Sequence, residues 1–357
     1  MNFCVRYKLI ISLLMSKYPM PVGIPKYFLG NRDINSIFGF VKARIKSPII
    51  QCSVLLTWHE DNTIAPLGMW TDTYFSEELK FAKSLGYEIE VIEGVTFDQE
   101  LIFDKFVNNL YNLRLQYPKD HPMNYLTKLI MNSCYGKTGM SPYLNNYKIM
   151  DSAELEGINA LDITFLGKKA LISTLDIRNV NNNNNMLPIS VSIASAITSY
   201  ARIEINKLKI QFLEYLLYSD TDSLFLSKPL PEHLVNNKLG GLKLEHIFKK
   251  ALFLAPKVYC GILENGNEIC KIKGYKDKVS FNELYSLLIK NNSLNLYQNK
   301  WFRDISKGLI SIKNQIYTLN LTENKRKFIL KNNKFVNTKP IKLGFIVIPL
   351  SIFKSHF

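Results

Sequence analysis

Acidic residues are scarce in this chain. Its 357 residues hold 30 Asp and Glu against 45 Lys and Arg, a formal charge of +15. No acidic side chain occurs before Asp33. An imbalance of this sign favours a polyanionic partner, nucleic acid or an anionic surface. Cysteines are also few. Cys4, Cys52, Cys134, Cys260 and Cys270 are odd in number and scattered, with no CxxC pair and no Cys/His cluster. Neither a zinc site nor a disulfide framework is expected, which fits a reducing compartment. Long apolar runs are missing as well: residues 9–15 and 344–353 fall short of the ~20 that a membrane span needs. The first run lacks a small-residue cleavage site and is expected as a buried strand or helix, not a signal peptide. No membrane partner and no internal repeat is expected.

What is present describes a globular chain of two or three subdomains, with 47% hydrophobic residues and a mean hydropathy of −0.03. Asn, Ile, Lys, Tyr and Phe are abundant and residues 181–185 are all Asn, the usage of an AT-rich genome such as that of an organelle or its plasmids. Alternation predicts strands over 38–45 and 88–92, and helical spacing predicts helices over 77–85 and 101–116. A further helix is expected over 123–135, stopped by Gly136, and a long amphipathic one over 189–210. Short strands and loops fill 141–187, strands and turns 238–280, and short apolar elements the remainder. Strands and helices interleave without a βαβ rhythm, so the class is α+β.

Two constellations carry chemistry. Tyr218-Ser219-Asp220-Thr221-Asp222-Ser223 lies between the apolar runs 213–217 and 224–226 and reads as a β-hairpin whose tip presents two carboxylates. Like charges so close repel unless a cation neutralises them. Mg²⁺, held by one or two carboxylates plus substrate phosphates, suits such a tip, and two such ions can clamp the attacking and leaving oxygens of phosphoryl transfer. A polar turn without chemistry would use the same residue types. In the second constellation Lys128, Asn132 and Tyr135 fall at i, i+4 and i+7. They share one helical face, with Leu126, Ile130 and Cys134 expected to bury on the other. Lys128 suits a triphosphate as a point charge. Tyr135 can stack on a base or sugar, and Gly136 permits close backbone approach.

Kx₃NSxYG followed by YxDTDS resembles motifs B and C of the family B DNA polymerases. Lys17-Tyr-Pro-Met-Pro-Val-Gly23, Gly68-Met-Trp70 with Tyr74-Phe-Ser-Glu-Glu-Leu79, Leu239-Gly240 with Lys243-Leu-Glu245, Lys257-Val-Tyr259 and Thr338-Lys-Pro340 are similar to its protein-primed branch, most of all to the polymerases of linear mitochondrial plasmids. The resemblance implies a right-hand fold: a palm of antiparallel sheet backed by helices, fingers helices and a small thumb. It implies DNA-directed DNA synthesis in plasmid or organelle replication. Asp220 and Asp222 would be catalytic and hold two Mg²⁺. Lys128, Asn132, Tyr135 and Gly136 would serve the incoming nucleotide, and Tyr218, Thr221, Lys257 and Tyr259 the DNA. Primer–template DNA, deoxynucleoside triphosphates and a terminal protein primer are the implied partners, and the mitochondrion the implied compartment.

By the same resemblance residues 1–23 correspond to the palm segment of motif A and 24–105 to a first terminal-protein-region insertion. Residues 106–140 match the fingers, 141–188 a second such insertion, 189–285 the palm and 286–357 the thumb. One departure stands out. The family expects an Asp opening a DxxSLYP-like segment ahead of the stretch that begins at Lys17, and ungapped alignment puts Arg6 there. By that alignment the motif A tyrosine has no counterpart either, and the resemblance leads one to expect a chain without the exonuclease domain that precedes motif A in the family. The expectation is a polymerase truncated before or within motif A with impaired activity, the alternative being a nucleic-acid-binding remnant without chemistry.

Overall fold

The computed structural model describes residues 1–50, 52–140, 145–175, 189–236, 238–304 and 309–344. Its main sheet has six antiparallel strands in the order β11-β12-β1-β13-β14-β15. The central strand is β1 (Asn2–Tyr7), between β12 (Ser223–Leu226) and β13 (Leu242–Ala255). β11 (Leu216–Asp220) closes one edge, and β14 (Val258–Leu263) and β15 (Glu268–Ile272) the other. Side chains alternate between the faces. Val5, Leu224, Leu226 and Leu242 point one way and bury against Ile205 and Leu208 of α5 (Val191–Gln211). Cys4, Phe225 and Phe248 point the other way, under Tyr218, Phe253 and Tyr259.

A second sheet runs β2 (Met20–Leu29), β7 (Glu88–Glu100), β3 (Gly39–Lys46), β6 (Leu67–Phe75) and β20 (Lys342–Leu343), with β20 parallel to β6. Its core packs Val41, Ala43, Ile45 and Trp70 against Leu79 and Ala82 of α2 (Ser76–Ser84). α1 (Ile10–Lys17), α3 (Asp104–Leu115) and α4 (Pro122–Thr138) gather on α5 around Leu14, Met15, Val107, Met131, Ile197 and Tyr200. Smaller antiparallel units are β4 (Thr57–His59) with β5 (Asn62–Ile64), and β8 (Asn145–Asp151) with β10 (Lys169–Leu175) and β9 (Asp162–Leu166). The chain then forms α6 (Phe281–Tyr285) and two ribbons, β16 (Ser293–Asp304) with β17 (Leu309–Asn320), and β18 (Lys327–Lys331) with β19 (Lys334–Lys339).

Two contacts lock the layers. Glu78 is buried on α2, and Arg202 of α5 grips it through both nitrogens, Nε–Oε1 and Nη2–Oε2 each at 2.7 Å. Glu204, two residues further along α5, accepts from Tyr18 Oη at 2.8 Å and Lys207 Nζ at 2.7 Å. Burial pushes the Glu204 carboxyl up, but these two bonds outweigh it and hold it below the usual range. Gly240 closes the corner between β1 and α1. It donates to Lys8 O at 2.8 Å with φ +70°, and an added Cβ would strike the Leu13 side chain, so both backbone and space require glycine.

Three expectations are corrected. Gly136 does not stop its helix, since α4 runs to Thr138 and is capped at Gly139. The face of α4 expected inside is rotated. Leu126 and Ile130 are exposed by nearly half, and Asn124, Thr127 and Met131 bury instead. The cause is polar: Asn124 Nδ2 donates to Arg114 O and Tyr117 O while its Oδ1 accepts from Arg114 Nε, so α4 is turned to cap the end of α3. Finally, Cys260 and Cys270 form a disulfide, because the β14–β15 register sets them opposite each other. The Asn run, residues 141–144 and 176–188 of the second expected insertion, and residues 345–357 of the expected thumb lie outside the described residues.

Removing one partner of a buried pair strands the other charge. Arg202→Ala is therefore expected to lower stability by about 3–5 kcal/mol in urea unfolding, and an exposed control such as Lys83→Ala to change it little. The lowered Glu204 pKa carries a sign: its contribution to stability is complete above the ordinary carboxylate range and is lost as pH falls through the folded value. Thermal melts between neutral and acid pH should show a smaller acid loss in Glu204→Gln than in the parent.

Candidate active site and nucleic-acid cleft

β11 and β12 meet in a two-residue turn, Thr221-Asp222, in which Thr221 takes φ 52°. Ser223 Oγ donates to Asp220 O at 2.9 Å, and Thr221 Oγ1 to Asp220 Oδ1 at 3.1 Å. The Tyr7 N–H donates to Asp222 O at 2.9 Å, which ties the tip to β1. Both hairpin carboxylates thus emerge at the end of the sheet, partly exposed.

Each of them faces a cation. Lys257 Nζ lies 3.2 Å from Asp220 Oδ1. It is held there by an aromatic platform: Tyr218 stacks on Phe253 at 5.0 Å between centroids, accepts the Lys257 N–H at 2.7 Å and donates to Ala255 O at 3.3 Å. Burial pushes the Tyr218 hydroxyl up to about 12, so it remains a neutral donor. Tyr259 packs on the same platform, 5.0 Å from the Phe225 ring. Arg6, opposite Ser223 in the sheet, reaches Asp222 Oδ1 at 3.7 Å and Glu245 Oε2 at 3.4 Å. Burial raises the Asp222 carboxyl above its ordinary value and Asp220 and Glu245 add to this, with Arg6 opposing. Lys243 lies 3.8 Å from the remaining Glu245 oxygen.

The structure therefore brings Tyr218, Asp220, Thr221, Asp222, Lys257 and Tyr259 into one cluster. Lys128, Asn132, Tyr135 and Gly136 are held together on α4. Lys128 and Asn132 are exposed there. Tyr135 leans into the apolar cluster that also takes in Tyr7, so the inner side of α4 and the strand beneath the acidic pair share a core. A Cβ at Gly136 would meet open space, and no part of the described chain uses the close approach that this glycine allows.

Sequence reasoning missed the floor beside the hairpin. A cleft of about 490 Å³ is lined by Arg6, Asp220, Lys257 and Tyr259 together with Lys271, Lys273 and Lys276. Its signal was available in the lysines spaced through residues 271–278, among which Ile272 and Tyr275 pack inward.

The donor set decides whether the implied Mg²⁺ ions suit this site. Among the described residues no group of three or more Asp, Glu, His or Cys side chains is arranged to hold a metal. The third carboxylate that the resemblance leads one to expect is Arg6, and the nearby Glu245 is engaged by Arg6 and Lys243. Three carboxylates meet three cations, so the net negative charge that would draw a pair of divalent ions is cancelled. The residues present do not fit a two-ion site.

Known proteins share this sequence pattern and this fold. The family model of organellar and viral type B DNA polymerases matches residues 13–214. A "Probable DNA polymerase" of Neurospora intermedia is 35% identical over 84% of the chain, and others from Ascobolus immersus and Podospora anserina are 30% and 31% identical over 92% and 94%. The chain spans about a third of the length of these relatives, 33%, 28% and 32% respectively. In fold it is similar to Phi29 DNA polymerase bound to primer–template DNA and incoming nucleotide, with TM-score 0.64 at 19% identity over 90% of this chain and 58% of the other. The binary complex with primer–template DNA gives 0.66 at 18% identity, covering 89% and 57%. The α+β right-hand polymerase fold expected from the motifs is thereby borne out, and the chain belongs to the type B DNA polymerases of the organellar and viral kind.

Proposed function

We propose that this chain serves template-directed DNA synthesis, as the palm, fingers and thumb of a DNA-directed DNA polymerase of the protein-primed type. In that reaction a primer hydroxyl, or the hydroxyl of a terminal protein, attacks the α-phosphate of a deoxynucleoside triphosphate and pyrophosphate leaves. The observation that carries the reading is the acidic turn at the sheet end with Lys257 and Tyr259 locked against it through Tyr218. A polar surface turn would need no such support. The surplus of basic side chains suits a DNA backbone, and the exposed Lys128 and Asn132 of α4 suit an incoming triphosphate.

Within this reading residues 24–105 and 141–188 act as the two terminal-protein-region insertions, and 286–357 as the thumb. Replication of plasmid or organelle DNA, with the mitochondrion as compartment, is proposed from the AT-rich residue usage and the motif resemblance. Mg²⁺ is the ion such a polymerase would use to neutralise the transferring phosphates. Here Arg6 stands where the resemblance expects one acidic ligand, and Asp220, Asp222 and Glu245 are already paired with cations. A second reading follows from that pairing: fingers, thumb and basic cleft grip DNA while the transfer itself runs weakly or not at all.

Primer extension separates the two readings. The purified chain with Mg²⁺ and deoxynucleotides is expected to extend a primed template far more slowly than a family member with an acidic motif A. Brisk extension that disappears in Asp222→Asn would overturn the claim of impairment. Binding tests the grip. Affinity for a primer–template should fall by about tenfold or more between about 50 and 200 mM salt, because phosphate contacts release counterions. Lys128→Ala should weaken nucleotide binding while leaving duplex affinity nearly unchanged, and equal losses in both would place Lys128 elsewhere.

A further inference from the structure

The family reading leaves Arg6 unexplained. It is the second-last residue of the central strand, its side chain is 44% exposed, and it opens into the cleft of about 490 Å³ beside the hairpin. A surface arginine with no role would be free to turn to solvent. This one is aimed by β1, whose register with β12 and β13 sets it between Asp222 and Glu245.

Its two ion pairs are long. Charge-assisted N–H···O bonds close to about 2.7–2.9 Å, whereas the guanidinium stands 3.4 and 3.7 Å from its carboxylates. Attraction holds it in place without consuming its five N–H donors, whose planar fork matches the oxygens of a phosphate. Around it the cleft wall carries Lys257, Lys271, Lys273 and Lys276. The acids lining the same cleft are Asp220, already faced by Lys257, and Asp277. With Asp222 and Glu245, the partners of Arg6, and Lys243 counted as well, six cations stand against four carboxylates, and the surplus lies on the lysines 271, 273 and 276 of the wall.

We propose that Arg6 turns the family's metal site into a metal-independent phosphate site: its guanidinium takes the place of a divalent cation, and the cleft binds a phosphate chain with no metal present. The ligand class is a run of linked phosphates, either a free triphosphate or the backbone of a nucleic-acid strand. Tyr259, half-buried on the cleft wall, supplies an apolar surface for the group that carries the phosphates. The inference deepens the polymerase reading and rests on it for the identity of the hairpin as the ancestral ion site. The affinity for phosphate rests only on the cleft.

The experiment uses inorganic tripolyphosphate as probe and titration calorimetry on the whole chain, in EDTA and in Mg²⁺. Binding is expected in EDTA and is not strengthened when Mg²⁺ is added, because the ion complexes the probe and lowers its negative charge. Arg6→Gln should weaken it about tenfold or more, since a bond to a charged group is lost, and Arg6→Lys should restore most of it. Arg6→Asp should abolish it and should also quench free Mn²⁺ in electron paramagnetic resonance, which the parent does not. Binding that requires Mg²⁺, or that survives Arg6→Gln unchanged, overturns the proposal, and so does Mn²⁺ binding by the parent. Melting temperatures of the variants check that each is folded, and Arg6→Gln decides the matter if Arg6→Asp is not.

Competition assigns the source. Displacement of a labelled single-stranded oligonucleotide by tripolyphosphate supports a backbone site, and binding without displacement supports a free-triphosphate site. Salt-dependent duplex binding that persists while tripolyphosphate fails would sink this inference alone; loss of duplex binding with tripolyphosphate retained would sink the DNA-gripping reading instead.

Discussion

The ladder between β1 and the acidic hairpin is the constraint on which the site depends. Cys4, Val5 and Arg6 face Phe225, Leu224 and Ser223, and the Tyr7 N–H ends the ladder on the Asp222 carbonyl. Side chains on a strand alternate, so a slip of one residue would exchange the faces. Val5, nearly inaccessible and packed among Ile205, Leu208 and Leu224, would then emerge into the cleft, and Arg6 would enter an apolar core with no acid to meet it. Burying an unpaired guanidinium there would cost several kcal/mol. The apolar packing against α5 thus fixes where Arg6 points, and the electrostatics of the site follow from a register chosen by hydrophobic burial.

The same dependence runs from Tyr218 to Lys257. Lys257 has a positive φ of 61°, uncommon for a residue with a Cβ, and the turn that holds it is closed by the Tyr218 hydroxyl. That hydroxyl in turn is placed by ring stacking on Phe253 and edge contact with Phe225. An aromatic cluster on the cleft face of the sheet therefore sets the height of the ammonium above Asp220. Arg6 and Lys257 flank the acidic pair from opposite sides, one delivered by strand register and the other by a strained turn. Neither contact would survive loosening of the core beneath it.

How much of this could be read without coordinates follows from the physics of each element. The hairpin was legible because two carboxylates on turn residues between apolar runs have few other solutions. The helix of residues 191–211 was legible because its small and apolar residues repeat at helical spacing over six turns' worth of chain. The buried side of α4 was not. Leu126 and Ile130 are more apolar than Asn124 and Thr127, and only the three hydrogen bonds around Asn124 reverse the choice. Pattern weighs transfer from water, whereas a fully bonded amide loses little by burial. The Cys260–Cys270 pair was hidden for a related reason: scatter along the chain says nothing about neighbours across a ladder. Arg6 is legible as an arginine where the resemblance expects an aspartate. That it bridges two acids needs the position of Glu245, 239 residues along the chain, which only the sheet provides.

Family membership and site chemistry rest here on different residues, and so they can part company. The likeness to Phi29 polymerase is one of backbone fold, with TM-scores of 0.64–0.66 at 17–19% identity, and the packing beneath the site is carried by inward-facing positions such as Val5, Leu224 and Ile205. None of these touches a phosphate. An arginine where the resemblance expects an aspartate leaves that packing intact, since Arg6 sits at a partly exposed strand end and meets Asp222 and Glu245. The fold can therefore persist unchanged while the charge of its reactive corner is inverted. A polymerase fold argues for a nucleic-acid partner, but each step at the phosphates has to be argued from the donors that this chain presents. At that corner they are an arginine and a lysine as much as two aspartates.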